Sequence, residues 1–487
     1  MAKTVVKSGD TNQDAARFTV GAATIAIDAL PNELLALIFT MGATFEPRRM
    51  PPSYMTWHFA LAASSISRHW RDVAISCPQL WSHLCFTADT RRDTLFANVF
   101  LPRSCAYPLE ISVRPGIAGS MHPVLMIILP HCARWRRLYV RPRGDADLEL
   151  ILLHTRDISV PLLQHIVILC PTIHPSQYHA RGLTEHTRHA LPFISGAPAL
   201  ISVRLRALCV KCGPPLTNLT SFEFDSALTP ITLTHSDLES MVVASPALRV
   251  LRLRLAAYIK SGGTITMSSL RQLSLRFEGC EYPGPNMRLF ASMHAPTLEI
   301  LELHCLQDCD MDTLWFCCQK FPDYPRPQTL KLFHVDSART LESSYETLFE
   351  VFPTITSLYI NHNSAYVKPV LSQLPALRSL TYNCMPLRSN ACSTGPAQYK
   401  YINCIPWILG HVQDCHGTSR AMQSVRIGYS ARRNRREEDY QRLRDLVDLV
   451  ELADEDDSLQ DSWSSDDGEE GEGRWSEEWG DVEWGAI

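Results

Sequence analysis

The sequence predicts an α/β protein with a small helical module, an irregular array of strand repeats and a disordered acidic tail. Three observations carry this. An apolar-x-x-apolar-x-apolar template recurs twelve times within residues 105–430. Ahead of it, residues 28–86 hold apolar residues at helical spacing on either side of a proline-rich break. Behind it, residues 451–487 carry 15 Asp/Glu against one basic residue, Arg474.

The length of 487 residues suits about three units at roughly 150 residues each. With 45% apolar and 20% charged residues the composition is globular, which excludes a wholly disordered or collagen-like chain. The net charge of −5 conceals an asymmetry. Residues 451–487 sum to −14, whereas residues 1–450 hold 45 Lys/Arg against 36 Asp/Glu, a net +9. No run reaches the roughly 18–20 apolar residues of a membrane span. Met1 to Val20 lacks the basic segment and apolar core of a secretory signal. The 16 cysteines, scattered singly in apolar runs, are therefore expected to be reduced thiols in a cytoplasmic and/or nuclear protein.

Residues 1–27 are polar and small, then Ala-rich, and read as a flexible leader. The helical module follows over 28–86. Asp28 suits a cap, Pro31 the first turn, and Glu33 the positive end of the helix dipole. Leu30, Leu34, Leu37, Ile38 and Met41 then make one apolar stripe. The breaker Glu46 to Ser53 contains three prolines, and a second helix is predicted over Trp57–Ile75, stopped by Pro78. Trp70 and Trp81 read as internal core. So small a module buries little surface alone and calls for a partner or a neighbouring domain.

The order LPNELLALIF, then SISRHWRDVAISCPQLW, resembles an F-box, particularly that of the large fungal F-box families. The matching residues are Leu30, Pro31, Glu33, Leu34, Ile38 and Phe39, then Ile66, Ser67, Arg68, Trp70, Arg71, Pro78, Leu80 and Trp81. The stretch Thr40 to Phe59 is longer than the usual connection of that family. The resemblance implies docking on the Skp adaptor of an SCF (cullin–RING) ubiquitin ligase. Leu30, Pro31, Leu34, Leu37, Ile38 and Phe39 are the expected contacts, an apolar helix stripe laid in a partner groove.

The twelve template copies start at Pro108, Trp135, Leu163, Leu200, Leu219, Leu248, Leu270, Leu298, Pro327, Ile355, Leu377 and Met422. Most start-to-start spacings, such as 22, 27, 28 and 29 residues, fall in the range of leucine-rich repeats. Several share a lead-in, as in APALISVRL, SPALRVLRL and APTLEILEL, where proline ends one segment and leucine opens a strand. Alternation such as Leu251, Arg252, Leu253 is the period of a half-buried strand. One repeat cannot bury its apolar side alone, but stacked neighbours can. Residues 105–430 therefore read as an irregular leucine-rich-repeat solenoid, with insertions at about 169–198 and 384–421.

Outward strand positions of such an array line one surface. The basic ones are Arg114, Arg137, Arg141, Arg204, Arg206, Arg252, Arg254, Arg276, Lys331 and Arg426, against Glu110, Glu223, Asp225 and Glu302. Tyr139, Phe333 and Tyr359 add aromatic surface. Arginine pairs bidentately with carboxylate or phosphate. The predicted substrate contacts are Arg137, Tyr139, Arg204, Arg206, Arg252, Arg254, Arg276, Lys331 and Tyr359, and the predicted substrate is an acidic or phosphorylated protein segment. A membrane is not expected as partner, nor nucleic acid, because the body is mildly basic and shows no recognition motif.

Residues 431–450 open with Arg432, Arg433, Arg435 and Arg436 and continue at helical spacing, a terminal helix that would cap the last repeat. Residues 451–487 are low in complexity, acidic and expected to be disordered, yet carry Trp463, Trp475, Trp479 and Trp484. Acid with spaced Trp suits a linear segment that competes for the basic face.

Cys209-Val-Lys-Cys212 is the only CxxC, without the second pair of a zinc site. No phosphate loop, GxGxxG, HExxH or GxSxG motif occurs, so no cofactor, metal or catalytic residue is assigned. The reading is a non-catalytic substrate-recognition subunit, docking through the helical module and capturing a target on the repeats for ubiquitination. Two other readings stay open: a repeat scaffold outside any ligase, and an enzyme on an irregular α/β fold.

Overall fold

The computed structural model describes residues 30–44, 52–87, 90–114, 121–170 and, with short interruptions, 193–383, 405–428 and 437–452. The predicted leader, most of the first insertion, the start of the second, the basic cluster at 432–436 and the tail from 453 lie outside the described residues.

Three helices come first: α1 (Asn32–Thr44), α2 (Pro52–Ile66) and α3 (Arg68–Ile75). Pro31 stands just before α1, and its carbonyl accepts from the amides of Leu34 (3.0 Å) and Leu35 (3.1 Å). Its missing N–H costs nothing there. The single helix predicted over 57–75 is two helices, because Ser67 breaks it. The Ser67 side chain accepts from the Trp70 amide (3.1 Å), an N-cap that starts α3 afresh. The long connection also shrinks: α1 runs on to Thr44 and α2 starts at Pro52. Gly42 lets the two helices meet, since a Cβ there would come within 2.5 Å of the Phe59 ring.

A 3₁₀ turn, Pro78–Trp81, leads directly into a parallel sheet of 14 strands. These are β1 (His83–Phe86), β2 (Leu109–Val113), β3 (Trp135–Val140), β4 (His165–Leu169), β5 (Ser202–Arg206), β6 (Ser221–Asp225) and β7 (Val250–Arg254). There follow β8 (Gln272–Arg276), β9 (Ile300–His304), β10 (Thr329–Phe333), β11 (Ser357–Asn361), β12 (Ser379–Tyr382), β13 (Ser424–Ile427) and β14 (Asp448–Glu451). Each pairs with the next, so the order in space is the order in sequence. Two short parallel pairs, Thr232–Thr234 with Ala257–Ile259 and Ile265–Thr266 with Met293–His294, stand outside this sheet.

Parallel neighbours need long crossovers. Several carry helices: α4 (Thr90–Arg103), α5 (Met121–Ile128), α6 (Asp145–Thr155), α7 (His235–Ala244), α8 (Pro285–Phe290), α9 (Glu342–Val351), α10 (Ile405–Cys415) and α11 (Glu437–Leu446). Helix α7 opens with a capping box in which Thr234 and Asp237 bond each other's backbone amides.

Every template copy falls on a strand, β2 to β13. In register, Leu251, Leu273, Leu301, Leu330, Leu358, Leu380 and Val425 form one inward row, each at most 1% exposed. Leu253, Leu275, Leu303, Leu332, Ile360, Tyr382 and Ile427 form a second row, also buried. Burial of each such side chain contributes about 1.5–3 kcal/mol, and neighbouring strands supply most of the cover.

The sheet extends past the predicted array at both ends. β1 belongs to the stretch assigned to the helical module, and β14 replaces the last residues of the helix predicted over 431–450 and takes in Glu451, the first residue of the predicted tail. The module is not a separate body, because one apolar core runs from Leu35 of α1 to Leu443 of α11. Trp81 makes the join: its indole N–H donates to the Ala74 carbonyl (2.8 Å) and its ring meets Phe100 of α4 at 5.0 Å.

Candidate functional site

Two surfaces stand out. The first is α1. Leu35, Phe39 and Ala43 face inward and are buried. Leu34 (47% exposed), Leu37 (56%), Ile38 (42%) and Met41 (62%) face solvent. These four occupy i, i+3, i+4 and i+7, one continuous stripe along one side of the helix. Pro31 is exposed beside them and Leu30 is half-buried. Phe39, expected as a partner contact, is corrected to an internal residue. It is fully buried, its ring 4.9 Å from Trp70 and 6.3 Å from Phe59. It lies one position round the helix from Ile38, which carries it from the outer side to the inner one. Met41 extends the stripe and was legible from the same spacing.

The second surface is the outward face of the sheet. One in-register row crosses β5 to β10 as Arg204, Glu223, Arg252, Ser274, Glu302 and Lys331. Arg204 Nε lies 2.8 Å from Glu223 Oε1, and Arg252 Nη1 lies 3.8 Å from Glu223 Oε2. Lys331 Nζ lies 2.7 Å from Glu302 Oε1. Burial alone would raise the Glu302 carboxyl, but the charge and hydrogen bond of Lys331, with help from His304 and Arg252, hold it below the usual carboxylate range.

A second row, two residues on, runs Arg206, Asp225, Arg254, Arg276, His304, Phe333 and Asn361. Arg206 and Arg254 flank Asp225 from either side at 3.5 and 3.4 Å, and all three are buried. This corrects the expectation that Arg206 and Arg254 present open guanidinium groups. Each is placed by strand register beside an acid, and their charges are spent within the sheet. Arg204, Arg252 and Lys331 are half-buried and share their carboxylates, and Arg276 is half-buried. Tyr359, also expected to be open, is only 4% exposed. It packs on Phe333 (5.0 Å), which stacks on His304 (4.4 Å), so aromatic packing across three strands buries it. The acids Glu223, Asp225 and Glu302 are the residues whose role sequence reasoning missed. Aligning the outward positions of successive templates would have placed Glu223 and Asp225 beside their arginines and Glu302 beside Lys331.

At the module end the face is more open. Glu110 is engaged from three sides: His83 Nε2 lies at 3.1 Å, Arg137 Nη1 donates at 3.4 Å, and Arg136 Nη1 stands at ion-pair distance, 3.8 Å. Burial opposes its ionisation, but His83, Arg137 and Arg136 together hold its carboxyl below the ordinary range. Arg137 is exposed and Tyr139 half-buried, with the Arg114 guanidinium 4.4 Å above the Tyr139 ring. Ser82 Oγ lies 3.4 Å from His83 Nδ1 but is buried and donates to the Gln79 carbonyl at 2.7 Å. Among the described residues no cluster of three His, Cys, Asp or Glu could hold a metal ion, and no helix is long and apolar enough to cross a membrane.

No family model matches the chain, and no curated protein does. Among solved structures, the chain is similar to a Bacteroides fragilis protein determined as a structural genomics target. The TM-score is 0.31 at 12% identity, over 65% of this chain and 74% of that one.

Proposed function

We propose that this chain is a non-catalytic substrate-recognition adaptor of an SCF-type ubiquitin ligase, similar to fungal F-box proteins with irregular leucine-rich repeats. Its helical module docks on the Skp adaptor, and its strand stack captures a target protein. The observation that carries this reading is the α1 stripe. Leu34, Leu37, Ile38 and Met41 leave four large apolar side chains 42–62% exposed on one helix side, in a module whose sequence order resembles an F-box. Apolar stripes of this kind mark a surface that seats in a partner groove. Phe39 and Leu35 fix the helix from behind, so the stripe is presented on a rigid element.

The chain makes and breaks no bond in this reading. It raises the effective concentration of a target lysine near a ubiquitin-charged enzyme brought by the cullin. Affinity capture of the full chain tests it. The unaltered protein retains the Skp adaptor and a cullin, while Leu34→Asp with Ile38→Asp loses both and keeps its melting temperature. Equal adaptor recovery with the double variant, or none with the unaltered chain, rejects the reading.

A further inference from the structure

We propose that β14, the last strand of the sheet, is a docking edge that takes an extended basic segment of another protein as an added strand. The site is the rim of the sheet, not its outward face, and it does not depend on the ligase reading.

Register fixes which backbone groups are on offer. The Asp448 amide donates to the Gln423 carbonyl (3.2 Å) and the Leu452 amide to the Ile427 carbonyl (3.1 Å). Backbone groups of alternate residues in a strand point to opposite sides, so Leu449 and Glu451 direct their N–H and C=O groups away from β13. Among the described residues no strand follows β14 in the sheet. At the opposite end of the sheet α2 packs against β1. Here α11 reaches β14 through the Glu451 side chain, which Tyr440 and Arg444 hold. Asp448, Val450 and Glu451 are exposed and Leu449 is half-buried. A bare edge of this kind is a template for a further strand, whose main-chain bonds supply the affinity.

Charge selects the occupant. Asp448 and Val450 stand on the outward side of β14, in register with Ser424 and Arg426. Among the described residues Asp448 forms no ion pair, whereas Glu451 is spent on Arg444. An added strand lies next to Asp448, with Arg426 one strand further in. A lysine or arginine opposite Asp448 makes a favourable cross-strand pair, and an apolar residue two places on covers Val450. The segment 453–487, which follows at once, adds 14 Asp/Glu against Arg474. Its charge draws a basic partner to this end of the chain. It also disfavours two other occupants. A second copy would bring another such stretch to the same edge, and the chain's own acidic run folded back on β14 would set like charge opposite Asp448.

The test uses the purified full chain and three end-blocked, fluorescently labelled pentapeptides: Lys-Thr-Val-Thr-Lys, the same with its three central amides N-methylated, and Glu-Thr-Val-Thr-Glu. Affinity is read by fluorescence anisotropy and location by amide hydrogen exchange. The first peptide is expected to bind saturably, about tenfold tighter than the other two, and to slow exchange at Leu449 and Glu451. Leu449→Pro removes an amide directed away from β13, a place where proline fits an edge strand. It should weaken binding about fivefold, the size of one backbone hydrogen bond. Asp448→Asn should weaken it about threefold, the size of one exposed ion pair. Equal binding of the glutamate peptide overturns the basic occupant. Equal binding of the methylated peptide, which leaves the protein unaltered, shows attraction to the acidic stretch alone and overturns the strand edge, as does unchanged binding in Leu449→Pro. Slow exchange at Leu449 before any peptide is added also overturns the proposal. It shows an edge already covered, by a second copy where sedimentation gives a dimer mass and otherwise by the chain itself.

Discussion

Asp225 on β6 and Arg254 on β7 face each other across adjacent strands, Oδ2 to Nη1 at 3.4 Å, with both side chains less than 10% exposed. Arg206 approaches the same carboxylate from β5 at 3.5 Å. At that depth an acid between two bases settles charge within the sheet. Asp225→Ala leaves two buried guanidinium groups facing each other and is expected to cost about 3–5 kcal/mol. Replacing all three by apolar residues of similar volume, Arg206→Met, Asp225→Leu and Arg254→Met, should recover most of that loss. Urea denaturation of the single and triple variants measures both. A single variant as stable as the unaltered chain would show that the arginines are neutralised some other way.

The α1 helix separates stability from binding. Phe39 is fully buried against Trp70 and Phe59, so Phe39→Ala is expected to cost about 3–5 kcal/mol. Leu37, more than half exposed, should tolerate alanine within about 0.5 kcal/mol. Thermal melts of the two variants should therefore diverge, with adaptor capture impaired in Leu37→Ala despite an unchanged melt. A large melting shift in Leu37→Ala would mean that the stripe is covered by the chain itself.

The strand stack was legible in the sequence because its cause is periodic. Twelve templates became twelve strands, since apolar residues at two-residue alternation fix which side is buried and, in several copies, proline fixes where the strand opens. Two strands escaped notice, for different reasons. Trp81, Leu84 and Phe86 fit the pattern but sit against the helical run, and β14 breaks it with Glu451 where the neighbouring strands carry Tyr382 and Ile427. The face was less legible than the core. Counting outward arginines says nothing of which acid the register sets beside each one, and that pairing decides which remain accessible.

Acid should weaken the fold in two stages. Burial, aided by nearby arginines at His131 and His165, lowers the folded-state affinity of His131, His165 and His411 for protons. The unfolded chain then binds those protons first, so stability falls as pH drops below about 6.5. Glu110 and Glu302 are depressed in the folded state by His83 with Arg137 and Arg136, and by Lys331. Their contribution is complete above the unfolded carboxylate value of about 4.3 and is lost as pH falls through the lower folded values. Urea midpoints from pH 8 to 3 should show a shallow decline followed by a steep one. Glu302→Gln should flatten the second stage and leave the first, whereas an unchanged acid limb in that variant would contradict the role of Lys331.

The last strand tests how the stack ends. Glu451 of β14 stands in register with Ile427, at a place the other strands fill from the core side. It is held by the Tyr440 hydroxyl, which donates at 2.5 Å, and by Arg444 Nη2 at 3.0 Å, with Arg444 lying 5.3 Å over the Tyr440 ring. Tyr440 itself is 1% exposed. Tyr440→Phe keeps the ring and removes only the bond to Glu451, a loss of about 1–2 kcal/mol for a charge-assisted contact at a partly open site. In a stack whose strands touch only their neighbours, that loss should stay local. Hydrogen exchange should quicken at the Leu452 amide, which donates to the Ile427 carbonyl at 3.1 Å, while the amides of β7 to β11 keep their protection. Glu451→Leu added to Tyr440→Phe should restore slow exchange by completing the apolar row. Uniform loss of protection along the whole sheet would show instead that the terminal cap holds the entire array together.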